Sequence, residues 1–375
     1  MTKMHIVTNN IQLGQQYQAV VDFLTKGTCP PPRIDICNLE HRYSHGGLHA
    51  ARCNYRVKEN TERKILDIDF TSFYPFIMLY YVPWFYSGMS RARYEKIVTA
   101  RIKAKINGDT ATADKLKKVI DPAFGLAYKK NPELGAMICA AGQLIITDLL
   151  DKVSLIPSVN LINTNTDGII LSYASTREES LLNTVETFKN RIQIPITYQV
   201  IHEIYQQDVS NFVAELGESY TIQDGERLLL KPDEHKFKVA GQTCPQIVAT
   251  AIASYLLKNI PIDTTVNTCS DLAAFRLKVV RVQLACAGYR YYNGKNWLKL
   301  PDTFDAYSVN NPSYGSIYAL SYDKKLSRLP GISWHSIADT KGLMRLDLLD
   351  KEFYINEANR YIDSWNKKKT RHERT

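Results

Sequence analysis

Hydrophobic and polar positions change period several times along this chain. Over residues 65–70, ILDIDF, apolar and acidic residues alternate with the two-residue period of a half-buried strand, which puts Asp67 and Asp69 on one face. The turn TSFYP follows and opens an apolar stretch over 72–82 that predicts a helix. Residues 90–131 are helical and basic. Arg91, Arg93, Lys96, Arg101, Lys103 and Lys105 precede NGDT (107–110), a predicted turn between two helices, and Lys115, Lys117 and Lys118 lie on the second. Residues 133–150 predict a long apolar helix, and 159–173 predict strand, tight turn and strand. An amphipathic helix over 176–192, a strand over 196–207 and a hairpin over 227–241 come next. Beyond 245 the pattern gives a helix, mixed tyrosine-rich segments and a basic tail. Residues 1–60 are mixed, broken by CPPPR (29–33) and by the glycine turn of SHGGLHAA (44–51).

Composition narrows the class. A chain of 375 residues suits two or three subdomains, and 45% hydrophobic with 23% charged residues is ordinary for a folded, water-soluble protein. The net charge of +9 favours a polyanionic partner such as nucleic acid. Seven scattered cysteines never form C-x-x-C, which argues against a disulfide framework or a zinc site and for reduced thiols in a cytoplasmic setting. The N-terminal residues lack a signal-peptide pattern, and no uninterrupted apolar run reaches the ~18 residues of a membrane span, so no membrane partner is expected.

The chemistry lies in the acidic strand, the basic helices and the turn that carries Asp167. Taken singly, Asp67, Asp69 and Asp167 read as ordinary surface or turn acids. Together, strand-borne carboxylates from distant segments can share two divalent cations, which activate an attacking oxygen and stabilise a leaving one. Hard oxygen donors suit Mg²⁺, which takes substrate phosphates as further ligands, with Mn²⁺ as a substitute. A basic helix facing such a site would grip a triphosphate.

Four motifs in order carry a family resemblance. DFTSFYP (69–75) resembles motif A of family B DNA polymerases, D-x-x-S-L-Y-P. KVIDPAFG (118–125) falls in the register of motif B, K-x-x-x-N-S-x-Y-G, when its lysine is Lys117. NTNTDGI (163–169) resembles motif C, Y-G-D-T-D-S, and KFKVAG (236–241) resembles the lysine-rich segment that holds the primer terminus. The resemblance spans about residues 43–245 and looks most like compact phage or prophage members, with the cytoplasm of a bacterial host as the expected location. It implies an α+β right-hand architecture with an antiparallel-sheet palm, short helical fingers and a C-terminal thumb. Residues 1–64 lead into the palm, 65–89 carry motif A, and 90–131 form the fingers. Residues 132–244 return to the palm, with motif C and the primer clamp, and 245–375 form the thumb. No exonuclease domain is expected. The implied activity is template-directed addition of dNTPs to a primer 3′-hydroxyl by two metals, without proofreading, with other replication proteins as possible partners.

Residue by residue, the resemblance implies that Asp69, Asp167 and the Phe70 carbonyl bind metal. Tyr74 would pack under the sugar, with Ser72 and Phe73 beside it. Lys117 would contact the incoming triphosphate, Asp121 would place a negative charge near the nucleotide, and Lys236 and Lys238 would clamp the primer strand. Apart from the resemblance, Arg101 and Lys105 share one side of their helix and read either as a contact to the triphosphate or as a solvated face. Asp67, Asn165 and Thr166 are auxiliary candidates. YSHGG (43–47) is similar to a template-contact motif of protein-primed members, with one extra residue before Gly46 and Gly47; a plain turn is the alternative. Three departures stand out. Asn165 replaces the first acid of motif C, Asp121 and Pro122 replace Asn and Ser of motif B, and Phe124 replaces its Tyr. They keep two rivals open: a palm-type nucleotidyltransferase of other specificity (reverse transcriptase, primase-like or template-independent), and a non-catalytic nucleic-acid-binding protein with a decayed palm. YRYY (289–292) reads as packing tyrosines or as a stacking surface for bases.

Overall fold

The computed structural model describes residues 6, 8–27, 29–84, 88–232, 236–239, 244–280 and 286–372; within its helices the side chains of 110, 121, 122, 126–128, 130 and 368–372 are outside that description. The chain divides into two units, Met1–Val209 with Glu215–Lys236, and Ser210–Ala214 with Phe237–Thr375. Both mix helices with antiparallel sheets, an α+β fold.

The first unit begins with α1 (Gln18–Lys26), β1 (Arg33–Ile36), β2 (Leu39–Tyr43), β3 (Leu48–Ala51), β4 (Tyr55–Lys58) and β5 (Arg63–Phe70). Four helices follow: α2 (Phe73–Tyr80), α3 (Arg91–Ile106), α4 (Thr110–Lys130) and α5 (Pro132–Ser154). Then come β6 (Asn160–Thr164), β7 (Gly168–Ala174), α6 (Glu178–Ile192), β8 (Ile196–Asp208), β9 (Asn211–Gln223) and β10 (Glu226–Lys231). The sheet order is β1-β2-β3-β6-β7-β5-β8-β9-β10, with β4 on β8 and β11 (Lys236–Val239) on β9. The acidic strand β5 is therefore central, antiparallel to β7 on one side and β8 on the other.

Two expectations change. The hairpin predicted over 227–241 does not form: β10 and β11 each pair with the long strand β9 instead of with each other, because a 13-residue strand offers enough edge for both. Helix α5 is, by length and composition, apolar enough to cross a membrane, with a mean hydropathy of 1.5 over an 18-residue window, although no uninterrupted run is. That window is 83% buried inside the protein, where α5 packs against α1, α2, α4, α6 and β1. A helix apolar all round marks a buried core as readily as a lipid span.

Within the second unit α7 (Gln246–Lys258), α8 (Ile262–Thr268) and α9 (Lys351–His372) pack together. Its remaining strands are β12 (Leu277–Val280), β13 (Gly288–Tyr292), β14 (Trp297–Leu300), β15 (Thr303–Ser308), β16 (Ser316–Leu320), β17 (Leu326–Arg328) and β18 (Ser336–Asp339). They make a three-stranded sheet, β12-β15-β18, and a four-stranded sheet, β14-β13-β16-β17.

Candidate functional site

Motifs A and C meet because β5 and β7 are adjacent. Asp69 lies opposite Gly168, and the Phe70 N–H donates to the Asp167 carbonyl at 2.9 Å. The backbones approach so closely that a Cβ at Gly168 would stand 2.7 Å from the Ile68 carbonyl oxygen, so only glycine fits there. Asn165 shapes the turn: its Oδ1 accepts the Asp167 N–H at 3.0 Å, while its own N–H donates to the Gly168 carbonyl at 3.0 Å. Such an Asx turn presents Asp167 at the tip of the hairpin. The departure from an acid at 165 thus has a local structural use.

Beyond Asp69 the strand ends abruptly. Ser72 caps α2 in the left-handed region, φ 57° and ψ 42°, a conformation costing a non-glycine residue about 1 kcal/mol or more. Its hydroxyl accepts a hydrogen bond from the Arg101 guanidinium on α3. One turn along α3, Lys105 Nζ donates to Thr71 Oγ1 at 3.3 Å and to Thr197 Oγ1 at 3.2 Å, and those two hydroxyls bond each other at 2.7 Å. Thr197 lies on β8 directly opposite Asp69. Burial lowers the Lys105 pKa, Asp69 works against that, and Arg101, Lys231 and Lys117 reinforce it. Arg101 Nε is buried without an acceptor among the described residues.

These residues line a cleft of about 300 Å³. Asp69, Phe70, Ser72, Phe73 and Tyr74 enter it from the motif A segment, Asp167 from the hairpin, Arg101 and Lys105 from α3, and Lys117 from α4. Ile120 and Phe124 join Lys117, since the spacing i, i+3, i+7 puts all three on one face of α4. Tyr74 and Phe124 stack almost parallel, 6° apart with centroids 4.7 Å apart. Burial pushes the Tyr74 pKa up to about 12, with the nearby Cys139 and Asp167 adding to the rise and a hydrogen bond from Thr166 opposing it.

Other sequence candidates stand apart from the cleft lining. Asp67 is two positions back on β5, opposite Ile170 and Gln199. Gly46 and Gly47 belong to a turn closed by the Ser44 N–H on the Gly47 carbonyl at 3.1 Å. That turn abuts the Asp167 hairpin, since a Cβ on Gly47 would meet Thr166 Cγ2 at 2.6 Å. Lys236 and Lys238 are exposed on β11, Lys238 with its ammonium 5.3 Å from the Phe212 ring centroid. Asp121 lies in α4, which continues through Pro122; its side chain, like Ala240 and Gly241 of KFKVAG, is outside the described residues. Phe124, Thr71 and Thr197 were missed as site residues. Helical periodicity from Lys117 would have found Phe124, and Thr71 sits inside the motif A string. Nothing local marks Thr197, which reaches the site through strand pairing.

Among the described residues the cleft lining carries two carboxylates, Asp69 and Asp167, and no histidine or cysteine. Among the described residues no group of three or more His, Cys, Asp and Glu side chains could hold a metal on its own. Two carboxylates without nitrogen or sulfur donors would fit a hard cation that takes waters or phosphate oxygens as its other ligands.

No family model matches this chain, and no curated protein matches its sequence. Among solved structures it is similar to the family B DNA polymerase from the hyperthermophilic archaeon Pyrobaculum calidifontis, with a TM-score of 0.35 and 11% identity over 88% of this chain. The chain covers 47% of that polymerase, about half its length.

Proposed function

We propose that this chain is a DNA-directed DNA polymerase that extends a primer with dNTPs. The supporting observation is the cleft that unites Asp69 and Asp167 with Arg101, Lys105, Lys117 and the Tyr74–Phe124 stack. In this reading Asp69, Asp167 and the Phe70 carbonyl hold two Mg²⁺ ions, which when bound lower the barrier by stabilising charge on the attacking and leaving oxygens. Arg101, Lys105 and Lys117 neutralise the triphosphate and orient its α-phosphorus for attack by the primer 3′-hydroxyl, with pyrophosphate leaving. Rigid placement is most of what phosphoryl transfer asks of a protein, and strands β5 and β7 supply it. Tyr74, backed by Phe124, stacks beneath the deoxyribose. Lys236 and Lys238 contact the primer strand. In the same reading residues 65–89 and 132–244 correspond to a palm, 90–131 with α3 and α4 to fingers, and 245–375 to a thumb.

Primer extension with Mg²⁺ and each dNTP, on DNA template, on RNA template and without template, tests the reading. Extension on DNA is expected, and Asp69→Asn and Asp167→Asn should each reduce it by about 10³-fold or more, roughly 4 kcal/mol of barrier. Either variant extending at close to the parent rate would overturn the site assignment. Extension only on RNA, or only without template, would replace the DNA polymerase with another palm-type nucleotidyltransferase.

A further inference from the structure

The second unit carries a surface that the polymerase reading leaves unused. One face of the four-stranded sheet β14-β13-β16-β17 is apolar: Tyr289, Tyr291, Leu300, Ile317 and Ala319 pack into a cluster with Phe304 and Leu329. The two-residue period of a strand then sends Arg290 and Tyr292 to the other face. There the register sets Lys299 opposite Arg290, Arg290 opposite Tyr318, and Tyr318 opposite Arg328. The row crosses all four strands, three strand spacings or about 14 Å. Beside it Tyr292 lies opposite Trp297 with ring centroids 4.8 Å apart, and Trp297 meets Tyr318 edge-on at 5.1 Å. The Arg328 guanidinium sits 4.3 Å from the centre of the Trp334 ring. Trp297 is 47% exposed and Trp334 62%.

We propose that this face binds single-stranded nucleic acid. Lys299, Arg290 and Arg328 stand in one row with no carboxylate among them, so the row is complementary to a line of phosphates. The rings between and beside them offer flat apolar faces. A strand that exposes both phosphates and base faces satisfies both features, and only unpaired bases have faces to stack. The YRYY segment thus divides its labour: Tyr289 and Tyr291 build the core, while Arg290 and Tyr292 face outward.

The test is fluorescence anisotropy of the full chain with a labelled oligothymidylate. Trp297→Ala should weaken binding by about 10-fold, the loss of one stacked base, and Trp297→Phe should recover most of it. Lys299→Glu should weaken binding and flatten the dependence of log K on log salt by about one phosphate contact. Primer extension at saturating primer-template should stay at the parent level in all three variants, which separates failure here from failure of the polymerase reading. Affinities of Trp297→Ala and Lys299→Glu within twofold of the parent would overturn the proposal. So would a loss confined to Lys299→Glu, because that pattern marks phosphate attraction without stacking.

Discussion

At the residue scale the most consequential pairing is Tyr74 on Phe124. The sequence alone makes Phe124 a departure from a tyrosine; in the structure it is the partner that holds the Tyr74 ring flat, with parallel planes 4.7 Å apart. Stacked aromatics of this kind are worth about 0.5–1.5 kcal/mol beyond the area they bury. If the ring lies under the sugar of an incoming nucleotide, it leaves no room for a 2′-hydroxyl, and discrimination comes from a clash. Tyr74→Val is therefore expected to raise kcat/KM for ATP relative to dATP by about tenfold or more, some 1.4 kcal/mol of differential binding, with a smaller fall in dATP use. Steady-state kinetics with both nucleotides checks this, and an unchanged ratio in a well-folded variant rules out the steric role. Thr197 makes the complementary point. Its hydroxyl fixes Thr71 and Lys105, yet it lies far along the chain from both and was invisible in the sequence.

At the element scale two buried polar groups explain how the apolar helix α5 and the sheet edge are fixed. Asp148 is fully buried on α5, where it accepts two hydrogen bonds from Arg191 on α6, at 2.7 and 3.0 Å, and one from the Gln12 N–H at 2.8 Å. Removing one partner of such a pair leaves the other charge uncompensated. Asp148→Ala should lower the unfolding free energy by about 3–5 kcal/mol in denaturant melts, whereas an exposed acid such as Asp323 should matter little. His41 on β2 is likewise buried. Because a carbonyl only accepts, Nδ1–H donates to the Leu39 oxygen at 2.8 Å, and Nε2 accepts from the Thr164 hydroxyl at 3.0 Å, next to the Asp167 turn. Burial holds its pKa down to about 4 from an ordinary value of 6.5, with the Leu39 hydrogen bond opposing. The unfolded chain therefore takes up this proton first as pH falls. Stability from neutral His41 is complete above about pH 6.5, declines as pH drops toward 4, and falls no further below it, a total of about 3 kcal/mol. His41→Gln should be less stable at neutral pH, but its loss relative to the parent should shrink across that window; a constant difference would contradict the assignment.

At the scale of the whole molecule, the sequence by itself determined most of the local structure. The period-two run at 65–70, the basic helices on either side of NGDT, the apolar helix before the Asp167 turn and the strand after 196 all form where their patterns place them. These are short-range consequences of side-chain period and turn chemistry. The order of the motif strings also singled out Asp69, Tyr74, Lys117 and Asp167, and helical spacing offered Arg101 and Lys105; the fold brings all six to one cleft. What only the tertiary structure decided is pairing between distant segments. Both β10 and β11 join β9 although the sequence between them reads as a hairpin, because edge hydrogen bonds are satisfied by whichever strand lies alongside, and local pattern does not encode that choice. The same holds for Thr197 opposite Asp69 and for the cations and rings aligned across the four-stranded sheet. Each depends on strand register, which is fixed by burial of one sheet face in the complete fold.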